Sequence, residues 1–98
     1  MFDGIWACES LLHIPSNELN TVFKKCSHAL REKGIMYVSF KYGDFEGFRN
    51  GRFFLDLNEK SILTYLNDTN LKVIEAMITE DVRENNTTKW LNLILQKN

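Results

Sequence analysis

Few side chains among these 98 residues can do chemistry near neutral pH, and His13 and Arg52 lead them by type and place. Histidine is the side chain that exchanges protons most readily near neutral pH, so the His13 ring is a candidate to accept a proton from an amine, an oxygen or a thiol. Arg52 carries a permanent planar cation that can clamp an acidic group through two parallel hydrogen bonds. Each also has a plainer reading: His13 packs beside Pro15 or closes its own loop, and Arg52 pairs with Asp56 or Glu46. Cys8 and Cys26 show no Cys-x-x-Cys spacing and no nearby pair of histidines, so neither zinc nor a disulfide is expected, and no metal site is assigned. Both cysteines read as reduced, Cys26 as packing only. Asp81 and Arg83 can pair, but an exposed pair is worth under about 1 kcal/mol.

His13 can act only if the elements around it hold it still. The stretch before it, Phe2 to Cys8, is short and apolar apart from Asp3, which is how a strand buried on both faces of a parallel sheet reads. Such a strand needs neighbours on both sides, yet only Met1 precedes it here, so the chain is expected to begin in the middle of a sheet. Trp6, and Trp90 near the other end, read as core. Ser16 can cap a helix over Asn17 to Lys33, with Glu18 at the favourable end of the dipole. Leu19, Val22, Phe23, Cys26 and Leu30 form its inward stripe, and Lys33 followed by Gly34 marks its stop.

Ile35 to Phe40 predicts a second buried strand, and strand, helix, strand implies parallel pairing through a right-handed crossover. Tyr42 to Arg52 holds Gly43, Gly47 and Gly51 among charged and aromatic residues and reads as a long loop, a length often given over to function. Asn58 can cap a short helix over Glu59 to Asn67. Leu71 to Thr79 and Lys89 to Gln96 predict two more strands, too close for a crossover helix and so an antiparallel hairpin. The fold class is α/β, in the order β-α-β-α-β-β with a terminal antiparallel hairpin.

Composition sets outer limits. Hydrophobic residues at 44% and charged residues at 26% suit one globular domain over residues 1–98. A formal charge of -1 offers no global reason to bind nucleic acid or an anionic membrane. The longest apolar run, Gly34 to Phe40, is far too short to span a bilayer, and Met1-Phe2-Asp3 has no basic leader start, so a cytoplasmic protein is expected.

Taken together, several segments resemble class I S-adenosylmethionine-dependent methyltransferases, in the small methyltransferase-domain group that includes tellurite-resistance-type enzymes. They are Phe2 to Pro15, Ala29 to Ile35, Ser39 to Gly43, Gly51 to Phe54, and Thr79 to Arg83 with Trp90 to Asn92. None is specific alone; their order and spacing carry the match over nearly the whole chain.

The resemblance implies the C-terminal half of that Rossmann-like sheet, with the last strand inserted antiparallel beside its predecessor, and a partial domain without the cofactor-binding N-terminal half. The last strand is expected between the second and third strands of this chain, antiparallel to both. The resemblance places Ala7, Cys8, Glu9 and Ser10 along the cofactor, S-adenosylmethionine. Leu12, His13, Tyr42, Glu46, Arg52 and Phe53 would lie toward the substrate, and no catalytic residue is assigned. Glu9 stands where the family often has a small residue, adding a carboxylate near the cofactor's methionine end. The family's glycine-rich turn and ribose-binding acid are missing, and no Gly-x-Gly occurs in the chain. Cofactor binding by this chain alone is therefore not expected. The expected partner is a second copy or a complementary N-terminal methyltransferase chain. The alternative function is a non-catalytic interaction or dimerisation module derived from the fold.

Overall fold

The computed structural model describes residues 2–7, 11–83 and 86–98, with residues 83 and 86 by backbone alone. The strands β1 (Phe2–Ala7) and β2 (Leu30–Lys41) flank the helix α1 (Ser16–Ala29), and β1 runs parallel to β2. A hairpin, β3 (Glu46–Arg49) and β4 (Arg52–Leu55), then a short helix, α2 (Ser61–Tyr65), lead to the long pair β5 (Leu71–Arg83) and β6 (Asn86–Lys97). The main sheet has the order β1-β2-β6-β5, with β6 antiparallel to both its neighbours. This is the inserted last strand that the sequence resemblance implies.

Alternation along the strands divides the sheet into two unlike faces. Met36, Val38 and Phe40 of β2 and Leu91, Leu93 and Leu95 of β6 point to one side, where they join Leu19 and Phe23 of α1 and Ile62 of α2 in a single buried core. The other side carries the row Trp6, Tyr37 and Ile94, placed in line by the pairings Trp6 with Tyr37 and Tyr37 with Ile94. Trp6 is 74% exposed and stacks on Tyr37 at 5.4 Å between ring centroids. The Tyr37 hydroxyl donates to Asn92 Oδ1 at 2.6 Å. The expectation of burial on both faces therefore fails for β1, and Trp6 is not core. An apolar pattern shows which faces avoid water, whereas burial also requires a layer to cover them, and the described residues cover one face only. Trp90 is half-buried against the core.

The helix α1 ends four residues before the expected Lys33. Leu30 turns extended, with φ -82° and ψ 143°, and drops fully into the core, while exposed Arg31 reaches Asp3 of β1 at 2.7 Å. Local propensity favours helix through this segment; pairing with β1 overrides it. Lys33, not Gly34, takes the left-handed turn, at φ 67°. Gly34 serves close approach instead, since a Cβ there would lie 2.8 Å from the Arg31 carbonyl oxygen.

The predicted loop from Tyr42 to Arg52 contains β3 and the turn that leads into β4. Its turn is Asn50-Gly51, both at positive φ (49° and 81°), a pair that matches the right-handed twist of two-residue hairpins. The last hairpin is also longer than expected, because Glu80 pairs with Lys89, Asp81 with Thr88 and Val82 with Thr87, beyond the expected strand end at Thr79. The helix α2 is shorter than the expected span of Glu59 to Asn67, and Asn58 does cap its approach: Lys60 N and Ser61 N donate to Asn58 Oδ1 at 3.0 and 2.9 Å. No described helix is long and apolar enough to cross a membrane.

Candidate functional site

Parallel pairing brings the ends of β1 and β2 to the same rim, and the chain leaves β1 there toward a 3-10 turn at Leu11–His13. Leu11 and Leu12 are buried and hold this turn down, leaving His13 half-buried above them. The β3–β4 hairpin folds back over it. His13 Nδ1 lies 2.7 Å from the carbonyl oxygen of Phe53, and its ring lies 4.8 Å from the Phe54 ring. A carbonyl can only accept, so Nδ1 carries the proton and, in the neutral ring, Nε2 keeps its lone pair. The hydrogen bond thus selects the tautomer in which His13 is able to act as a base.

A second tie joins the hairpin to α1. Ser16 does not cap the helix with its own side chain; Ser16 N donates to Glu46 Oε2 at 2.9 Å. The exposed first turn of α1 gains an acceptor and a negative charge from a segment thirty residues later. Hydrogen bonds from Ser16 hold the Glu46 carboxyl below its ordinary pKa. A lowered carboxylate pKa means that this tie is fully present above the unfolded glutamate value and is lost as pH falls through the folded one. The stability advantage of the native chain over Glu46→Gln is expected to shrink on acidification below pH about 4.5. Urea unfolding across that window checks it, and a difference independent of pH would refute it.

His13, Arg52 and Phe53 line a groove of about 270 Å³. A second groove of about 260 Å³, sharing His13 and Arg52, adds Leu12, Lys41, Phe54 and Trp90. Lys41 and Trp90 face each other across the β2–β6 pairing at the end of β2, and the Lys41 ammonium sits 4.5 Å from the centre of the Phe54 ring. Phe54 therefore contacts both His13 and Lys41.

Of the residues expected at the site, Leu12, His13, Arg52 and Phe53 come together, on the rim where the strands end. Ala7 is buried at the end of β1, whereas Cys8, Glu9 and Ser10 lie outside the described residues. Glu46 is taken up by Ser16. Tyr42 lines neither groove: its hydroxyl bonds the Glu59 carboxylate, which raises the phenol's pKa and lowers the acid's. Arg52 does not pair with Asp56, because Arg49 does so through two hydrogen bonds of 2.7 and 3.1 Å. The Asp81–Arg83 pairing falls on Arg83, whose side chain lies outside the described residues. Cys26 is half-buried beside the core, and burial pushes its thiol up, away from the nucleophilic form. Sequence reading missed Lys41, Phe54 and Trp90 as groove residues. Lys41 had a usable signal, as the first charge after an apolar parallel strand, where α/β sheets bind ligands.

No family model matches the chain, and no curated protein does. Solved structures do. A SAM-dependent methyltransferase from Methanosarcina mazei superposes with a TM-score of 0.78 at 17% identity, over 98% of this chain and 59% of that one. The 1,6-didemethyltoxoflavin-N1-methyltransferase of Burkholderia thailandensis, solved with 1,6-didemethyltoxoflavin and S-adenosylhomocysteine, gives 0.77 at 18% identity, over 98% and 44% of the two chains. TehB from Haemophilus influenzae gives 0.68 at 10% identity, over 98% and 35%. The chain has the Rossmann-like fold of class I SAM-dependent methyltransferases, and it spans 59% or less of the length of these neighbours.

Proposed function

We propose that this chain is the acceptor-side half of a SAM-dependent methyltransferase domain, and that it works joined to an N-terminal half that carries the glycine turn and the ribose-binding acid. The observation that carries this reading is the superposition of 98% of the chain on a methyltransferase of which it covers 59%. When bound, S-adenosylmethionine would supply a methyl group to a nucleophile, and the chain's own share is to orient that acceptor. The backbone after β1 is the stretch assigned to the cofactor. At the rim, His13 Nε2 is the group available to take the acceptor's proton as the new bond forms, a task that depends on placement more than on reactivity. The methyl acceptor is small enough for the two adjoining grooves, and the domain acts in the cytoplasm.

Calorimetry with S-adenosylhomocysteine tests the proposal on two samples: this chain alone, and this chain joined to the N-terminal half of the Methanosarcina mazei neighbour after the fusion is shown to unfold cooperatively. The chain alone is expected to bind no tighter than roughly millimolar, a free energy near -4 kcal/mol, and the fusion to bind at micromolar concentration. A low-micromolar constant for the chain alone, or a folded fusion that binds nothing, would overturn the reading.

One feature favours a second reading, an interaction module without catalysis. Phe2 and Trp6 are exposed on β1, which among the described residues pairs with β2 only, so an edge and an apolar face stand open together. A second copy could cover them as well as a missing half could. Light scattering on the chain separates the two: a dimer that vanishes with Trp6→Lys and a fusion inert toward the cofactor would favour the module.

A further inference from the structure

The groove at His13 carries a charge imbalance that points to the kind of molecule it accepts. Arg49 and Arg52 stand directly opposite each other across the β3–β4 pairing, and like charges so placed repel. One of the two is neutralised: Arg49 forks onto Asp56, whose side chain is only 6% exposed. The other has no carboxylate partner among the described residues, and neither does Lys41, which lines the same groove. The acids nearest in the chain are already engaged, Glu46 by Ser16 N and Glu59 by the Tyr42 hydroxyl, while exposed Asp44 lines neither groove. Two cations thus border a hollow whose remaining walls are Leu12, His13, Phe54 and Trp90.

We propose that this groove binds a small aromatic acid, an oxyanion (carboxylate or phosphate) carried on a single aromatic or conjugated ring. The oxyanion meets Arg52 and Lys41, and the ring lies on the aromatic wall beside His13. The fork of Arg52 matches two oxygens of a carboxylate or phosphate in two-point contact, and Lys41 adds a point charge. The hollows, at about 260 and 270 Å³, each have room for one ring with its oxyanion. This assignment rests on the groove being the acceptor side of the proposed site, but it concerns binding without cofactor.

Titration of the chain with benzoate, phenyl phosphate and benzamide, followed by NMR at the His13 ring and the Trp90 indole, tests it. Benzoate or phenyl phosphate, whichever oxyanion is preferred, is expected to bind at least tenfold tighter than neutral benzamide, shifting both His13 and Trp90 signals. Arg52→Gln is expected to weaken the anion about tenfold and Lys41→Gln about threefold, with benzamide unchanged. Arg52 is exposed, so its replacement leaves the fold intact. Equal binding of anion and amide, an anion affinity unmoved by Arg52→Gln, or shifts that spare His13 would each overturn the proposal. Because the titration uses no cofactor, it can fail while the fusion binds S-adenosylhomocysteine, and succeed while the fusion does not.

Discussion

Phe40→Ala is expected to destabilise the chain by roughly 3–5 kcal/mol. Phe40 lies in β2, an interior strand of the sheet, is fully buried, and stands opposite Leu91 on the face that α1 and α2 cover. Truncation removes its transfer free energy and leaves a cavity between strand and helix that the neighbours cannot fill without moving. A domain of this size has only about 5–15 kcal/mol to lose, so the variant should populate the unfolded state at modest urea. Trp6→Ala is the control, because Trp6 is a larger aromatic on the same sheet but is 74% exposed. Its loss is expected to cost well under 1 kcal/mol in the isolated monomer. Equilibrium urea unfolding of the two variants decides it: comparable losses would mean that the face carrying Trp6 is covered after all.

Arg49→Met is expected to cost about 3 kcal/mol, which places it far outside the range of ordinary surface ion pairs. The reason is asymmetry of burial, since the Asp56 carboxylate is 6% exposed and the Arg49 side chain 34%. Removing the arginine strands a nearly buried anion, whereas Asp56→Asn releases an arginine that can reach water, so the second change should be clearly milder. Partial exposure of Arg49 keeps the expectation at the low end of what broken buried pairs cost. Arg49 also stacks over Phe45 at 4.1 Å, so the β3–β4 hairpin loosens with it, and with the hairpin the acceptor of the His13 hydrogen bond. Unfolding of Arg49→Met, Asp56→Asn and the double variant measures the coupling. A cost for Arg49→Met below about 1 kcal/mol would show the pair to be solvated and the hairpin to stand without it.

By itself the sequence determined the features that follow from local spacing. The apolar run from Phe2, the stripe of Leu19, Phe23 and Cys26, and the run to Phe40 are read over a few residues each, and they suffice for strand, helix and parallel strand in that order. Parallel pairing then forces both strand ends to one rim, and the grooves that His13 and Arg52 share lie there. The short gap between the last two strands likewise permits only an antiparallel return. Asn50-Gly51 was an equally local hairpin signal that the spread of glycines around it hid.

Other features depend on partners far away in the chain, and no window of sequence contains them. Trp6 and Phe40 are both aromatic residues in apolar strands, yet one is bare and the other fully buried, because the helices pack on a single face. The helix α1 stops where Leu30 meets β1, although its residues would continue the helix. Glu46 and Tyr42 were plausible ligand contacts by type, but backbone folding brings the first to Ser16 and the second to Glu59 before any ligand can use them. Asp56 took Arg49 rather than Arg52 because adjacent hairpin positions compete for one carboxylate, and only the three-dimensional path of β3 and β4 decides which guanidinium reaches it and which is left facing the groove.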